Sequence, residues 1–499
     1  MPLCDLKGQV KNLFRKGMSD EEFKQNKSLT HIGTGSIGIV PNEVLLDIFD
    51  FYREGLVDPR DGNWSWCTLV HVCRRWRHII LTSPRRLDLR LLCTIGTPVR
   101  KYLDCWPPTF PIAIKYRFYE FFDPHPEDVR NIFIALEKPD RVCSIELCAT
   151  SSLLAKVSMV MQVPFPALKN LFLSPMDSGT PIVSQNFLGG LAPGLRKFSS
   201  VDKLTSHSAL PKFLLSCNDL VDLKLMGMSN PNHVPPEVIV TILSGLSRLK
   251  AFYIAFSSLR PSISSYPPLH PRSTLSTLSD VLFYGSSEYL EDLIARIDTP
   301  SLQRIDIHLW HRPTDAPQLR QLIYRTEGLR SPNQARIIKN DRTINLTFRS
   351  TGSPIVRYHP VTSQFKNFNI AVSTHDWQFS SAVQFCLQSV PLTSSVKRLI
   401  VESTVEQALW KEVIGPADWL DLFRPFSAVE ELYVSPLLGS PVAFALAGAT
   451  GEAEILPALR SVFFEEGKES ASLKETIKPF SVARRLSHCD VSASSVERF

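Results

Sequence analysis

The sequence predicts a mixed α/β and α+β protein, in which a small helical module is followed by a solenoid with a curved parallel sheet and outer helices. Apolar residues recur at helical spacing between residues 40 and 91, and a phrase of the form L-x-x-L-x-L recurs from residue 142 onward. The chain has 499 residues, 44% of them hydrophobic. Since single cores stop growing at about 250–300 residues, two domains or an elongated array are expected. The predicted segments are a flexible leader at 1–38, the helical module at 39–91, a transition at 92–141, the repeat domain at 142–486 and a tail at 487–499.

The helical module is predicted from two apolar patterns that are separated by a turn-rich loop. Pro41 suits the first turn of a helix, where its missing N–H is harmless. The first apolar stripe consists of Val44, Leu45, Ile48, Phe49 and Tyr52. The loop includes 58–62, and Pro84 ends the second pattern. The second pattern consists of Trp66, Leu69, Val72, Cys73, Trp76, Ile79 and Ile80. So small a unit is expected to depend on a partner or on the next domain for stability.

Two motifs in this module resemble those of the F-box family. The sequence V-P-x-E-x-L-L-x-I-F at 40–49 is similar to the opening of F-box modules, and V-C-R-R-W-R at 72–77 resembles their third helix. Fungal F-box proteins carry both motifs in this order. Val40 stands where the family usually has Leu, and the loop from Arg53 to Ser65 is longer than in compact versions. The alternative is an ordinary amphipathic helix pair at the edge of a domain.

The resemblance implies that the module binds a Skp-type adaptor and, through it, a cullin–RING ubiquitin ligase. It also implies which side chains form the adaptor-facing apolar surface or support it. These are Pro41, Leu45, Ile48, Phe49, Leu69, Val72 and Trp76.

The repeat domain is predicted from ten copies of the L-x-x-L-x-L phrase. The first seven begin at residues 142, 168, 195, 220, 249, 278 and 302, and the last three at 396, 429 and 459. Their spacings of 24–33 residues lie at or just above the range of leucine-rich repeats. The last two apolar positions alternate as in a strand that is buried on one face. Helical patterns at 236–243 and 288–297 fall between phrases, so stacked strand–helix units form a solenoid. A generic α/β domain with parallel strands is the alternative, because the phrase is degenerate.

The sequence places the remaining elements less completely. In the gap between the phrases at 302 and 396, strands are predicted at 335–339, 343–348 and 368–372, within two or three degenerate units. A strand at 110–116 and a helix at 126–136 are predicted in the transition segment. A final helix at 474–486 is expected to cap the array.

Composition restricts the partners and the compartment. The net charge is +6 and the basic residues are spread along the chain, so charge alone does not predict nucleic-acid binding. The ten Cys form no CxxC pair and most lie in apolar runs, as in a protein of a reducing compartment. We expect no secretory signal, no transmembrane helix and no membrane partner. The expected location is the cytoplasm, the nucleus or both.

Three chemical motifs are weighed and set aside. G-x-G-x-x-G at 33–38 lacks the strand–turn–helix context of a dinucleotide site, so no cofactor is expected. Cys67, His71, Cys73 and His78 match no common zinc spacing, so no metal is expected either. An Arg-rich stretch at 74–90 with Trp76 is better explained as a solvated helix face than as a nucleic-acid site.

The predicted function is that of a non-catalytic substrate-recognition subunit of an SCF-type ubiquitin ligase. Outward positions beside the strands' apolar residues are the candidate contacts for a protein substrate, for which an acidic segment is a weak expectation. Two alternatives stay open: an interaction scaffold outside any ligase, and an enzyme hidden in 310–395. The candidate contacts are Lys169, Asn170, Phe172, Asp222, Lys224, Gln303, Arg304, Asp306, His308, Lys397, Arg398, Glu430, Glu431 and Tyr433.

Overall fold

The structure is a computed structural model. It describes residues 40–55, 69–84, 87, 90–94, 98–117, 126–177, 179, 186–201, 209–228, 235–256, 271–310, 316–340, 343–350, 370–375, 379–404, 414–449, 455–465 and 470–492. The chain divides into two compact units, which are described separately. One unit is Met1–Arg90 with Thr109–Pro111, and the other is Leu91–Pro108 with Ile112–Phe499. The predicted leader, the G-x-G-x-x-G motif and most of the loop from Arg53 to Ser65 lie outside the described residues.

The described residues of the first unit form two helices and a helical turn at 69–71 that lies between them in the sequence. Helix α1 is Asn42–Gly55 and helix α2 is Arg74–Thr82. Cys73 caps α2, since its Sγ accepts a hydrogen bond from the Trp76 backbone N–H at 3.4 Å. Helix α2 ends two residues before Pro84, as the missing N–H of proline predicts.

The second unit contains a sheet of 16 strands among its described residues. The strands up to the phrase at 302 are β1 Leu91–Cys93, β2 Ile112–Arg117, β3 Val142–Ala149, β4 Asn170–Pro175, β5 Lys197–Val201, β6 Asp222–Met228, β7 Ala251–Phe256, β9 Asp280–Gly285 and β11 Arg304–Leu309. The later strands are β12 Gln334–Lys339, β13 Thr343–Arg349, β14 Ile370–His375, β15 Arg398–Ser403, β16 Glu431–Val434, β17 Ser461–Glu465 and β18 His488–Ser492. Their order in the sheet is β1-β2-β3-β4-β5-β6-β7-β9-β11-β14-β13-β12-β15-β16-β17-β18. Two further strands, β8 Ser273–Thr274 and β10 Ile297–Asp298, form a separate pair.

The helices of this unit lie between successive strands in the sequence, as expected of strand–helix repeats. They are α3 Val99–Cys105, α4 Pro126–Leu136, α5 Ser151–Val160, α6 Ala209–Leu215, α7 Pro236–Gly245, α8 Ser287–Ala295, α9 Pro317–Arg325, α10 Phe379–Gln388, α11 Val390–Thr393, α12 Pro416–Phe423, α13 Gly439–Gly448 and α14 Ser470–Arg484. Proline begins α7, α9 and α12, where its fixed φ suits the first turn. Thr150 and Ser286 cap α5 and α8 with their side-chain oxygens.

The L-x-x-L-x-L phrases coincide with the strands and confirm the predicted fold class. In each of the ten copies the second and third positions lie in a strand, and the apolar members are all buried. Ser200, the one polar member, is half-buried. The phrase residues join the helices in a single hydrophobic core that runs along the unit. The alternation therefore places one face of the sheet against the helices and leaves the other, here called the outer face, opposite them.

The gap between the phrases at 302 and 396 holds an inversion of the strand order. The three strands predicted there are present as β12, β13 and β14, but they do not form independent repeat units. Strand β13 is antiparallel to both β12 and β14, while β14 pairs parallel with β11 and β12 pairs parallel with β15. After β11 the chain therefore forms β12 first, three places away in the sheet. It then returns through β13 and forms β14 in the place beside β11. The parallel sheet continues on both sides of this one reversed strand.

The sheet extends past the phrase-bearing residues at both ends. Strand β1 begins at Leu91, the last residue of the predicted helical module, and β2 lies within the predicted transition segment and pairs parallel with β1 and β3. At the other end α14 is followed by β18, which pairs parallel with β17 inside the predicted tail. The strand predicted at 110–116 is present as β2, whereas β1 was not predicted: Leu91 is buried like a phrase residue, but no L-x-x-L precedes it. In the described part of the chain, no helix has the length and apolar character needed to cross a membrane.

Candidate functional site

Helix α1 presents apolar side chains on two different faces. Leu45 and Phe49, one turn apart, are 2% and 1% exposed. Val44, Ile48, Phe51 and Tyr52 are 46%, 48%, 80% and 40% exposed and fall on one side of the helix at i, i+4, i+7 and i+8. We call these four residues the α1 surface. The single stripe predicted from sequence is therefore two stripes, one packed inward and one open.

The inward stripe of α1 is fixed by contacts with α2. The rings of Phe49 and Trp76 meet edge to face, with centroids 4.7 Å apart. Arg75 on α2 donates from Nη2 to the Val40 carbonyl at 2.5 Å and to Asn42 Oδ1 at 2.8 Å. Arg77 donates from Nε to the Val70 carbonyl at 2.9 Å. Two of the arginines considered for nucleic-acid binding thus hold the beginning of α1 and the turn before α2.

The seven residues predicted for adaptor binding divide between surface and support. Pro41, Ile48 and Val72 are exposed, Val72 by 57%. Leu45, Phe49 and Leu69 are buried, and Trp76 is half-buried. The three buried residues can position the surface but not form it, whereas Trp76 is partly accessible. Phe51 was missed, although it stands seven residues after Val44 and is the most exposed apolar side chain of the helix; helical spacing alone pointed to it.

The outer face of the sheet carries rows of side chains that strand register places side by side. One row runs Glu146, Phe172, Ser199, Lys224, Tyr253, Leu282, Asp306 from β3 to β11. A second row consists of the residues two positions earlier on the same strands. It runs Ser144, Asn170, Lys197, Asp222, Ala251, Asp280, Arg304. Ten of the fourteen predicted contacts lie on this face: Asn170, Phe172, Asp222, Lys224, Arg304, Asp306, His308, Arg398, Glu431 and Tyr433.

Most charges of the outer face are neutralised by nearby side chains. Arg304 pairs with Asp280 at 2.7 Å and Arg398 with Glu431 at 2.7 Å across neighbouring strands, and Lys224 approaches Asp222 on its own strand at 3.8 Å. Arg336, in the region where no phrase was legible, pairs with Glu402 at 2.6 Å. Because these charges are paired, this face gives no support to the expectation of an acidic substrate segment.

Two polar–aromatic clusters lie on the outer face. In the first, Asp306 is 5% exposed and contacts His308 Nε2 at 3.1 Å, and the rings of Tyr284 and His308 are 5.7 Å apart. Burial raises the pKa of Tyr253, and the charge of Asp306 raises it further. Tyr253 and Tyr284 were missed, although they occupy outward positions beside phrase residues.

The second cluster surrounds Tyr433 on β16. Its ring stacks on that of Phe463 at 4.6 Å, and the Arg398 guanidinium lies 5.7 Å from the Tyr433 centroid. Tyr433 also donates to Glu431 at 3.2 Å. Burial, aided by Glu431, raises the pKa of Tyr433 to about 12. The phenol therefore stays protonated at neutral pH and does not act as a base, and its ring packs within the cluster, 5% exposed.

The predicted contacts do not form one continuous site. Ten strand steps separate β4 from β16, a distance of about 50 Å at ~4.8 Å per step. The four remaining contacts, Lys169, Gln303, Lys397 and Glu430, each immediately precede a strand. They therefore belong to the edge of the sheet where strands begin, not to the outer face.

Neither unit shows a metal centre in its described residues. No group of three or more His, Cys, Asp or Glu side chains there is placed to hold an ion. Of the zinc candidates, His71, Cys73 and His78 are exposed, and Cys67 lies outside the described residues. The arrangement suits binding of a protein segment by mixed charged and aromatic contacts.

Comparison with known proteins identifies one part of the chain. Residues 37–90 match the F-box-like family model. No curated protein matches the chain. Two solved structures align over most of it: the leucine-rich repeat-containing protein LegL7 from Legionella pneumophila and the Rad7–Elc1 complex from yeast. LegL7 has a TM-score of 0.30 and 9% identity, with 79% of this chain and 98% of LegL7 covered. The Rad7–Elc1 match has a TM-score of 0.29 and 12% identity, with 91% of this chain and 93% of the matched chain covered. Scores this low carry no argument about function, and the repeat architecture rests on the strand order itself.

Proposed function

We propose that this chain is a non-catalytic substrate-recognition subunit of an SCF-type ubiquitin ligase. The F-box-like helices bind a Skp-type adaptor and, through it, the cullin–RING core. The sheet unit holds a protein substrate. The chain makes and breaks no bond. It raises the effective concentration of the substrate's lysines near the bound ubiquitin-conjugating enzyme, so that a bimolecular step becomes intramolecular.

The observation that carries this proposal is the α1 surface within the F-box-like match. Phe51 is 80% exposed and its three companions at least 40%, so an apolar side of the helix lies open. A continuous exposed apolar surface of this kind marks an interaction site on a soluble domain. The buried Leu45 and Phe49 fix the orientation of that surface without belonging to it.

Capture of a Skp-type adaptor by the full chain tests the proposal. Replacing Ile48 and Phe51 together by Asp adds charge at two exposed positions and leaves the buried Phe49 in place. We expect the intact chain to capture the adaptor and the double variant to lose capture with an unchanged circular dichroism spectrum. Phe444→Asp, at a 65% exposed Phe of the other unit, is the matched control and should retain capture.

Failure of the intact chain to capture the adaptor would refute the ligase role. The protein would then be an interaction scaffold whose F-box-like helices serve another contact. Equal capture by the double variant would mean that the adaptor binds elsewhere. Within the ligase proposal, the predicted location is the cytoplasm or nucleus, and the similarity to fungal F-box proteins remains a prediction.

A further inference from the structure

The edge of the sheet where strands begin carries basic side chains at three of four consecutive strands, with Val221 at the corresponding position of the other. Lys169, Arg196 and Lys250 are exposed and each stands at the entry to β4, β5 or β7. The Lys169 carbonyl accepts from the Arg196 N–H at 2.8 Å, and the Arg196 carbonyl accepts from the Val221 N–H at 2.8 Å. The Val221 carbonyl accepts from the Lys250 N–H at 2.9 Å. These hydrogen bonds place the three residues, here called the basic edge, along one line at about 4.8 Å per strand.

The basic edge is not neutralised by the protein itself. Among the described residues, none of its three side chains forms an ion pair. Three acids that lie near this edge have other partners: Asp219 pairs with Arg248 at 2.7 Å, Asp280 pairs with Arg304 at 2.7 Å, and Asp222 lies 3.8 Å from Lys224. This distinguishes the edge from the outer face, where Lys224 and Arg304 have carboxylate partners.

Four exposed apolar residues lie on the connections that lead into these strands. Met159 and Leu215 belong to the last turns of α5 and α6, and Val163 and Leu191 lie between a helical segment and the next strand. Met159, Val163, Leu191 and Leu215 are 68%, 48%, 66% and 40% exposed, and we call them the edge apolar row. Each precedes the residue at a strand entry by five to ten positions, so the row lies on the segments that approach this edge of the sheet.

Backbone contacts show that members of the row are neighbours across units. The Leu188 N–H donates to the Met161 carbonyl at 2.6 Å, which joins the Phe187–Gly190 turn to the end of α5. The Ala192 N–H donates to Ser216 Oγ at 3.2 Å. Leu191 immediately precedes Ala192, and Leu215 immediately precedes Ser216. The row therefore crosses three consecutive connections.

We infer that this edge binds an acidic segment of a partner protein that also carries apolar side chains. Unpaired cations at strand spacing match carboxylates along a peptide, and charge complementarity of this kind favours the encounter. The edge apolar row supplies the apolar area that a nucleic-acid phosphate backbone would not use, which favours a peptide. The inference rests on the proposed function where it describes the class of substrate. Binding of an acidic segment at this edge can nevertheless be tested independently of adaptor binding.

The test uses the full chain and a fluorescein-labelled synthetic peptide of interspersed Asp, Glu, Leu and Phe residues, with fluorescence anisotropy as the readout. A second peptide has Asn and Gln in place of Asp and Glu. We expect the acidic peptide to bind at least tenfold more tightly than the neutral one, and to weaken as salt screens the charges. Reversal of Lys169, Arg196 and Lys250 to Glu should lower the affinity at least tenfold.

Matched variants separate a specific edge from general attraction to a basic protein. Reversal of the exposed Arg100, Lys474 and Lys478 to Glu makes the same change in net charge elsewhere and should alter affinity less than threefold. Met159→Ser with Leu191→Ser should weaken binding of the acidic peptide several-fold, because apolar contact area is lost. Equal binding of both peptides, equal effects of the two triple reversals, or tighter binding of single-stranded DNA would overturn the inference.

Adaptor capture by the same variants separates this inference from the proposed function. The edge reversals should leave capture intact, and Ile48→Asp with Phe51→Asp should leave peptide binding intact. If capture fails in the intact chain while the acidic peptide still binds at the edge, the surface stands and the ligase role falls. If the acidic peptide fails to bind while capture persists, only the edge inference falls.

Discussion

The ring of Phe49 on α1 meets the ring of Trp76 on α2 edge to face, with centroids 4.7 Å apart and planes inclined at 63°. Phe49 is 1% exposed, whereas Phe51, two residues later on the same helix, is 80% exposed. Phe49 and Phe51 therefore have different roles within one turn of α1. Phe49 packs the two helices together, and Phe51 is accessible to a partner.

Phe49→Ala should destabilise the F-box-like unit, and Phe51→Ala should not. Loss of a buried Phe costs about 3–5 kcal/mol through lost transfer energy and the remaining cavity, while an exposed substitution changes stability by about 0.5 kcal/mol or less. Hydrogen–deuterium exchange of the α1 and α2 amides should accelerate in Phe49→Ala alone. Similar exchange in the two variants would contradict the assignment of Phe49 to the packed face.

Arg75→Lys should loosen the beginning of α1. The Arg75 guanidinium donates to both the Val40 carbonyl and Asn42 Oδ1, and a lysine ammonium lacks the planar fork that makes both contacts. We expect a cost of about 1 kcal/mol, seen as faster amide exchange in the first turn of α1. Arg74→Lys, at the exposed neighbouring position, is the control and should leave exchange unchanged.

Asp177 should contribute to stability in a pH-dependent manner. Its carboxylate accepts from the Ser151 N–H at 3.1 Å and from the Ser151 hydroxyl, at the beginning of α5. The hydroxyl hydrogen bond, followed by the backbone N–H bonds, lowers the pKa of Asp177. A lowered folded-state pKa means that the contribution is present above the ordinary carboxyl pKa, near 4, and is lost as pH falls through the lowered value.

Asp177→Ala should therefore reduce the free energy of unfolding at neutral pH by about 0.5–2 kcal/mol, the range for loss of a helix cap. The difference from the parent should shrink below pH 4 in urea titrations. Glu475→Ala, an exposed acid on α14, should give no such pH-dependent difference. A constant difference between pH 7 and pH 3 would exclude the carboxylate as the capping group.

Gly328→Ala should destabilise the sheet unit, since a Cβ at Gly328 would lie 2.8 Å from the Leu302 carbonyl oxygen. Overpacking of this kind costs about 1–3 kcal/mol. Gly448→Ala meets no atom within 4 Å and should be neutral or stabilising, since alanine is the better helix former. Urea unfolding midpoints should fall for the first variant only.

The candidate site was predicted incompletely for reasons visible in particular residues. Helical spacing put Ile48 and Phe49 in one stripe, because periodicity within a helix does not say which side faces a partner. The alternation within the phrases predicted that Phe172 and Tyr433 lie on the outer face, and the same rule would have placed Tyr253 there. It could not place Arg336, because Arg336 lies on β12, whose position depends on the reversed strand β13.

The sequence by itself determined that a helical module precedes a strand–helix repeat domain, and which positions of the ten phrases are buried. Both depend on local periodicity: apolar residues at helical spacing need one buried side, and the second and third phrase positions alternate as a strand does. Only the tertiary structure decided the reversal at β13, the extension of the sheet to β1 and β18, and the pairing of Arg304 with Asp280 or Arg398 with Glu431. These depend on which strand lies beside which, a relation between residues that are distant in sequence. The same relation left Lys169, Arg196 and Lys250 unpaired along one edge.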